Sequence, residues 1–333
     1  MCTRIKNTIS ETIDVKIGVP QGSNLGPLLF ILYINEIDSL LKHSKIILYA
    51  DDIALVSINY KHEEMLKNLQ DDFDILQREL LKNDLYINED KTKWMLIKTS
   101  HMQNISSERL FIHTFKRNKI NLDGGVDKCQ HTCLEIKRVT NFKYLGIILD
   151  DRWNFEGHIN HLIKKIRCMV PKLYSLKDIL SLKCLKSVYQ AWVESHIRYG
   201  LEIYYNTAEY RIKRLQRLQN KVIKMLFKKF DSNKNSEEIL EENKIKNILK
   251  LRNAIIIKKY YLEKNCLKRL ICETKGTDRT GKPKYILPKI RNEYGRKLAK
   301  YYVASVMNLM KEQIKGITTY KDLKRLLKDP RNL

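Results

Sequence analysis

Two adjacent acidic residues, Asp51 and Asp52, lie between two short apolar segments of the chain. These segments, residues 46–48 and 53–56, are rich in Ile, Leu and Val, which is typical of strands, so the acidic pair predicts the turn of a β-hairpin. Two carboxylates buried this close together oppose each other's ionisation unless a cation neutralises them. The pair therefore predicts a Mg²⁺ site for phosphoryl transfer, with Mn²⁺ as the alternative ion, because Mg²⁺ binds a few carboxylate oxygens together with substrate phosphates.

Asp-Asp pairs occur twice more in the chain, so the residue type alone does not identify a site. Asp71 and Asp72 lie within a helical pattern, and Asp150 and Asp151 follow a predicted strand at a turn. Both of these pairs are predicted to be solvated. What distinguishes Asp51 is the glycine- and proline-rich segment that precedes it in the sequence.

That segment, residues 18–35, begins Gly-Val-Pro-Gln-Gly-Ser and continues into an apolar stretch that predicts a helix. Ser23 is predicted to be the N-cap of this helix. Gly22 has no side chain and permits close approach of a ligand or a nucleic-acid backbone, while Gln21 offers both a donor and an acceptor. A turn in front of a core helix is the alternative interpretation, and the neighbouring acidic pair favours a binding loop.

The two motifs together resemble the palm of a reverse transcriptase. The amino-acid sequence of residues 18–30 resembles that of the non-LTR retrotransposon group, jockey-like elements in particular. The resemblance continues over nearly the whole chain. Further segments are similar to a later palm motif, the primer-grip strand, the thumb and the end of such polymerases: residues 88–93, residues 142–150, Tyr199-Gly200 with residues 218–221, and residues 288–295.

The resemblance implies RNA-directed DNA synthesis, the template-directed addition of deoxynucleotides to a 3′-hydroxyl with two Mg²⁺ ions. It implies that Asp51 is the main metal ligand and Asp52 an auxiliary one. The implied partners are an RNA template, a DNA primer and a deoxynucleoside triphosphate.

The resemblance also implies roles for four residues near the acidic pair. Tyr49 is expected to pack near the primer end, and Gln21 and Gly22 to line the template and nucleotide side. Lys91 is expected to donate charge or a proton toward the pyrophosphate, with a surface cation as the alternative.

One motif of the family is missing from the expected place. Reverse transcriptases of this kind carry an earlier palm aspartate before the loop of residues 18–35, and residues 1–17 contain only Glu11 and Asp14 as acids. The sequence therefore predicts a polymerase truncated at its N-terminus, without fingers or first palm motif, which is inactive by itself.

The charge balance favours a nucleic-acid partner. The 333 residues include 63 Lys and Arg against 38 Asp and Glu, a net charge of +25. No apolar run approaches the ~20 residues that span a membrane, and the first residues lack a signal-peptide core. Seven cysteines, an odd number, suit a reducing compartment. The sequence predicts a soluble intracellular protein of the nucleus or cytoplasm, and it leaves the oligomeric state open.

The order of strand-like and helix-like segments along the chain predicts an α+β fold. It consists of a partial polymerase palm, which is an antiparallel sheet with helices, followed by an all-α thumb-like region. The predicted regions are the palm at residues 1–150, the helical thumb-like region at 151–229, a polar linker at 230–247, and a basic, mainly helical region at 248–333.

The last helix of the thumb-like region carries a row of cations opposite an apolar stripe. We predict that this row contacts a phosphate backbone, because a solvated helix usually mixes charges of both signs; a solvated outer face is the alternative. The row consists of Arg211, Lys213, Arg214, Arg217, Lys221, Lys224, Lys228 and Lys229.

One group of Cys and His residues resembles a zinc site but lacks the spacing that a zinc finger requires. Cys129, His131 and Cys133, taken with His113, lack a second Cys/His pair at zinc-finger spacing, so we interpret them as loop residues.

Three hypotheses remain open from the sequence. The first is an active RNA-directed DNA polymerase, and the second is a catalytically incompetent nucleic-acid-binding remnant of such an element. The third, a structural or partner-binding protein, leaves the acidic hairpin unexplained.

Overall fold

The chain divides into two compact units, which are described separately. A computed structural model describes residues 2–12, 18–19, 22–98, 109–113, 133–227, 234–262, 273–277, 283–285, 287, 289, 299–310 and 320–328. The first unit comprises Met1–Trp94 with Met102–Val139, and the second comprises Met95–His101 with Thr140–Leu333. Helices and small, mostly antiparallel sheets confirm the predicted α+β class.

The first unit mixes short strands with three helices in the part that the structure describes. Its helices are α1 (Gly26–Ile34), α2 (Ile37–Leu40) and α3 (His62–Lys82). Its strands are β1 (Arg4–Ile5), β2 (Thr8–Ile9), β3 (Lys45–Tyr49), β4 (Asp52–Val56), β5 (Lys93–Trp94), β6 (Phe111–Ile112), β7 (Leu134–Glu135) and β8 (Lys137–Arg138).

Strands β3 and β4 form an antiparallel hairpin that packs on helices α1 and α3. Its register pairs Leu48 with Ile53 and Ile46 with Leu55. These apolar side chains pack against a small core that includes Leu76 and Leu80 of α3. Because a two-stranded hairpin is marginally stable by itself in water, this helical support fixes its position.

Helix α1 begins two residues later than the sequence predicts. Ser23 is not its N-cap, because the helix starts at Gly26 with Leu25 as the capping residue. The hydroxyl of Ser23 instead accepts a hydrogen bond from the Leu25 N–H at 3.2 Å. The serine oxygen is satisfied two residues along the chain, and Pro27, which lacks an N–H, occupies the first turn without loss of a hydrogen bond.

The second unit is mainly helical. Its strands are β9 (Asn141–Tyr144), β10 (Ile147–Asp150), β11 (Glu273–Thr277) and β12 (Pro283–Tyr285). Its helices are α4 (Glu156–Leu176), α5 (Leu182–Tyr189), α6 (Ser195–Arg198), α7 (Leu201–Tyr204), α8 (Glu209–Phe227), α9 (Ser236–Glu242), α10 (Ile248–Leu262), α11 (Ala299–Leu309) and α12 (Tyr320–Lys328), with a π-helical turn at Gln190–Glu194 between α5 and α6.

A large apolar core joins helices α4 to α10 of this unit. Ile159 and Ile166 of α4, Leu215 and Ile223 of α8, and Tyr189 of α5 are fully or almost fully buried in it. The apolar stripe that the sequence predicts for the last helix of the thumb-like region, α8, therefore faces this core, as helical spacing requires.

The segment predicted to be a polar linker forms part of this core. Asn235 caps helix α9 by accepting hydrogen bonds from the N–H groups of Glu237 and Glu238, at 2.8 and 2.9 Å. Ile239 and Leu240 are buried among the residues of the large core. The polar composition of residues 235–242 thus reflects a capping box and a solvent-facing helix side rather than a linker.

None of the helices in the described residues is both long enough and apolar enough to cross a membrane.

Candidate active site and nucleic-acid interface

The turn of the β3–β4 hairpin presents the acidic pair. Tyr49 pairs with Asp52, which leaves Ala50 and Asp51 as the two turn residues. This confirms the predicted hairpin. Ala50 has φ of 52°, in the left-handed region that costs a residue with a side chain roughly 1 kcal/mol or more. The packed strands therefore hold the turn in a strained conformation that points Asp51 away from the hairpin core.

The two carboxylates are exposed, so the expectation that they are buried is wrong. The pair lies at the tip of the hairpin, beyond the last apolar residues that pack on α1 and α3. Across the part of the chain that the structure describes, neither carboxylate takes part in an ion pair. Their oxygens are thus accessible to an incoming cation and to solvent.

The acidic pair fits part of a divalent-metal site. Mg²⁺ is bound in proteins by one or two carboxylates, with waters and substrate phosphates completing its octahedron. Two adjacent exposed carboxylates meet that requirement for one ion. Among the described residues no group of three or more His, Cys, Asp or Glu side chains is placed to hold a metal. A two-ion centre therefore needs a further ligand from outside the described residues.

A buried aspartate anchors the strand that leads to this turn. Asp72 of α3 is fully buried and accepts hydrogen bonds from the N–H groups of Lys42 and His43, at 3.0 and 2.9 Å, and from that of Ser44 at 2.5 Å. Burial by itself raises the pKa of Asp72, but these hydrogen bonds outweigh it and leave the pKa below its usual value. The prediction that Asp72 is solvated is wrong, because the side chain ties residues 42–44, directly before β3, to α3.

The other predicted residues of the active site lie in turns and at a strand end. Gly22 has φ of 84° and open space where a Cβ would lie, as expected of a residue in a binding loop. Tyr49 ends β3 with 63% of its surface exposed. Lys91 is exposed in a turn in which its own N–H donates to the Asn88 side chain at 3.0 Å. Gln21 lies outside the described residues, and whether these groups share one cleft remains a prediction.

The histidine and cysteine singled out by the zinc pattern do lie together. His113 Nδ1 is 3.1 Å from Cys133 Sγ, and its Nε2 is 3.5 Å from a carboxylate oxygen of Asp74. The two contacts use opposite nitrogens of the imidazole ring, so the three side chains do not converge on one point. Cys129 and His131 lie outside the described residues.

Comparison with known sequences identifies the segment that contains the hairpin. Residues 1–149 match the family described as Reverse transcriptase (RNA-dependent DNA polymerase). This segment is therefore similar to the reverse transcriptase family. No solved structure matches the chain significantly.

About two thirds of the chain is also similar to proteins of mobile elements. The chain is 25% identical over 247 residues to "Probable RNA-directed DNA polymerase from transposon X-element" of Drosophila melanogaster, covering 67% of this chain and 23% of that protein. It is 25% identical over 229 residues to "RNA-directed DNA polymerase from mobile element jockey" of the same species, covering 65% and 22%. The chain thus spans about a quarter of the length of these relatives. These matches confirm the predicted resemblance to jockey-like reverse transcriptases.

Two motifs that the resemblance assigns to the primer grip and thumb contact each other in the second unit. The hydroxyl of Tyr199 donates to the Leu145 carbonyl at 2.6 Å, beside Gly146. Gly200 has φ of 66°, and a Cβ there would collide with Ile147. The two glycines therefore allow the β9–β10 turn and the start of α7 to pack closely.

Three cations of the predicted row on α8 have acidic partners. Arg211 pairs with Glu156 at 3.0 Å, Arg214 with the same carboxylate at 3.6 Å, and Lys213 with Glu209 at 2.9 Å. The expectation of an uncompensated row is wrong for these three, because it ignored acids from α4 and from the first turn of α8.

The remaining cations of the row keep their charge exposed. Arg217, Lys221 and Lys224 point to solvent from α8, and none of them forms an ion pair within the described residues. Lys228 and Lys229 lie outside those residues. The exposed face of α8 is therefore cationic over a shorter length than the sequence predicts.

Sequence reasoning missed two groups of residues. The role of Asp72 was missed, because its position in a helical pattern does not indicate that its carboxylate accepts hydrogen bonds from backbone N–H groups 28 to 30 residues away. Lys164 and Arg167 of α4 were not assigned to any site. Their spacing on α4, combined with Arg214, becomes informative only once the packing of α4 on α8 is known.

Proposed function

We propose that this chain carries part of an RNA-directed DNA polymerase, in which the β3–β4 turn binds the catalytic metal. The observation that supports this most directly is the strained turn at Ala50, which presents two exposed carboxylates without ion-pair partners among the described residues. It lies in the segment that matches the reverse transcriptase family.

In this proposal Asp51 is the main ligand of the divalent ion, and Asp52, on the first residue of β4, is the second. Bound Mg²⁺ would activate the primer hydroxyl and neutralise charge on the leaving pyrophosphate. Asp72 acts as a positioning residue, because it fixes residues 42–44 and hence the direction of β3.

The substrates follow from the same proposal: an RNA template, a DNA primer and a deoxynucleoside triphosphate. Tyr49 is assigned to the primer end, and Gln21 with Gly22 to the template and nucleotide side. Lys91 is assigned to the pyrophosphate, for which an exposed ammonium group is suited as donor of charge or of a proton.

Nucleic-acid binding is assigned to the exposed face of α8. Arg217, Lys221 and Lys224 recur at three- and four-residue spacing and so lie along one side of the helix. Arg211, Lys213 and Arg214 are already neutralised in part, so we assign them a smaller share of the phosphate contacts than the sequence suggested.

A catalytically incompetent nucleic-acid-binding remnant is the second candidate. It is favoured by one observation, that the described residues supply two carboxylates and no third ligand for a two-ion centre. In that case the cationic helices bind nucleic acid while the hairpin performs no chemistry.

Primer extension on an RNA template with Mg²⁺ separates these candidates. The chain should be tested alone and with an upstream polymerase segment from a jockey-like relative fused before Met1, to supply a further carboxylate. We expect extension by the fused protein, none by the chain alone, and loss of extension in the fused Asp51→Asn variant. Asp71→Asn, an exposed acid of α3, is the matched control.

Extension by the fused Asp51→Asn protein at the parental rate would contradict the assignment of the metal ligand. Absence of extension in every version, with nucleic-acid binding retained, would support the remnant instead.

A further inference from the structure

Helices α4 and α8 enclose a cationic cleft that the polymerase mechanism does not use. The cleft has a volume of about 510 Å³ and is lined by Asn160, Ile163, Lys164, Arg167, Cys168 and Arg214. Three of these six side chains are cations and none is an acid. A cleft of this size holds a short stretch of a nucleic-acid strand rather than a large protein surface.

One cation of the cleft is held in place by neighbours. Arg214 Nη2 donates to the Asn160 side chain at 2.8 Å, and Nη1 lies 3.6 Å from Glu156. Glu156 is shared with Arg211, so its single charge is divided between two guanidinium groups. The fixed position of Arg214 lowers the entropy cost of contacting an anion with it.

The other two cations keep their full charge. Lys164 and Arg167 are exposed on α4 and form no ion pair with any residue that the structure describes. On the other flank of α4, burial, followed by the charges of Lys165 and His161, lowers the pKa of His196. The surface around α4 is thus positive, and an anionic ligand relieves that repulsion.

An exposed tyrosine continues the line of the cleft along α4. Residues 160, 164, 167 and 174 recur at helical spacing and extend over about 21 Å of the helix. Tyr174, the last of them, has 56% of its surface exposed. The ammonium group of Lys177 lies over one face of its ring, 4.4 Å from the centroid. The other face remains for a planar group to stack on.

We propose that this cleft binds the sugar–phosphate backbone of an unpaired nucleic-acid strand, with a base stacked on Tyr174. A narrow cationic groove beside an exposed aromatic ring suits a single strand, whose bases are free to stack, whereas a duplex hides its base faces. Lys164, Arg167 and Arg214 contact successive phosphates. The inference rests on the proposed nucleic-acid function of the second unit but requires neither metal nor catalysis.

The first test measures binding of a labelled 12-nucleotide pyrimidine strand by fluorescence anisotropy in EDTA, across a series of salt concentrations. The Lys164→Gln/Arg167→Gln double variant should bind about tenfold more weakly at moderate salt, and its salt slope should fall by about 1.4, since each single-strand phosphate contact contributes about 0.7. Tyr174→Ala should weaken the single strand several-fold and leave a blunt hairpin duplex unaffected.

Lys165→Gln/Lys172→Gln is the matched control, because it removes the same charge from exposed positions on the other flank of α4. An equal loss of affinity in this control would overturn the proposal in favour of a general charge effect. Equal weakening of strand and duplex by Tyr174→Ala would also overturn it.

The second test uses the unmodified chain and so does not depend on the folding of variants. Cys168 lines the cleft and is exposed, while Cys184 is exposed in the first turn of α5. A saturating single strand should slow alkylation of Cys168 at least fivefold and leave Cys184 unchanged, as read by peptide mass spectrometry. An unchanged rate at Cys168, or no binding of the strand at all, would overturn the proposal. Because the assay contains no metal, failure of primer extension leaves its outcome unaffected.

Discussion

At the scale of single residues, the buried Asp72, rather than the exposed Asp51 and Asp52, holds the chain in place before the β3–β4 hairpin. Asp72 is fully buried and satisfies three backbone N–H groups, whereas Asp71, its neighbour in sequence, is exposed. Nothing in the sequence Asp71-Asp72 distinguishes the two, because the difference arises from the packing of α3 against residues 42–44.

Replacement of Asp72 by Ala should lower the free energy of unfolding by about 2 kcal/mol, since three N–H groups, one of them on the buried Ser44, lose their acceptor. The pKa of Asp72 is lowered in the folded state, so its contribution is present above the unfolded value of about 3.9 and is lost as the pH falls through the lower folded value. Urea titrations at several pH values measure both effects. Asp71→Asn, the control, should change the stability by less than about 0.5 kcal/mol.

His158 also makes stability depend on pH, in a higher pH range than Asp72. It is buried against Tyr204, and burial, followed by the nearby His161, lowers its pKa to about 4. The unfolded chain binds a proton at about pH 6.5, whereas the folded chain does not, so stability should fall as the pH drops from about 6.5 to about 4.

The expected loss over that range is about 3 kcal/mol, from the difference between the two pKa values. His158→Gln should flatten the dependence of stability on pH, measured by denaturant unfolding between pH 7 and pH 4. The exposed His161→Gln variant should retain most of it. A pH dependence that survives in His158→Gln would assign the effect to another group.

At the scale of elements, the pattern of apolar residues predicted which segments form strands and helices, and partner contacts decided the rest. The hairpin at residues 45–56 and the stripes of α4 and α8 follow from local spacing. The start of α1 does not follow from local spacing, because the Ser23 hydroxyl accepts a hydrogen bond from the Leu25 N–H in front of the helix. The ion pairs of Arg211 and Arg214 also escaped prediction, since Glu156 lies 55 or more residues away in sequence.

The cationic face of α8 carries the second prediction at this scale. The triple variant Arg217→Gln, Lys221→Gln and Lys224→Gln should weaken binding of an RNA–DNA hybrid and reduce the magnitude of its salt slope by up to about 2.7, or about 0.9 for each contact. Lys213→Gln, whose ammonium group already pairs with Glu209, is the control and should have a smaller effect. An unchanged slope in the triple variant would move the interface to another surface.

The close packing of α7 on β10 gives a prediction about stability. Gly200→Ala should destabilise the second unit by about 2 kcal/mol or more, because the new Cβ meets Ile147 while φ stays positive. Gly22→Ala should cost less, since open space surrounds that position and only the backbone strain remains. Thermal unfolding of both variants compares the two costs.

At the scale of the whole molecule, the charge and the family match both favour the proposed nucleic-acid partner. The chain has a net charge of +25, and its residues 1–149 match the reverse transcriptase family. The α+β class and the acidic hairpin were predictable, because strand-forming runs around an Asp pair and a Gly/Pro-rich loop are local features of the sequence. The exposure of the pair and the α4–α8 cleft were not, because both depend on which elements meet in three dimensions.

The central claim is that Asp51 and Asp52 hold a divalent ion beside the loop of residues 18–26. Fe²⁺ substituted for Mg²⁺, with ascorbate and peroxide, cleaves the backbone near a bound ion, and the fragments are identified by mass spectrometry. We predict cleavage at residues 49–53 and within residues 18–26, lost in the Asp51→Asn/Asp52→Asn variant and retained in Asp71→Asn. Cleavage that persists unchanged in the double variant, or that spares the loop, would contradict the account.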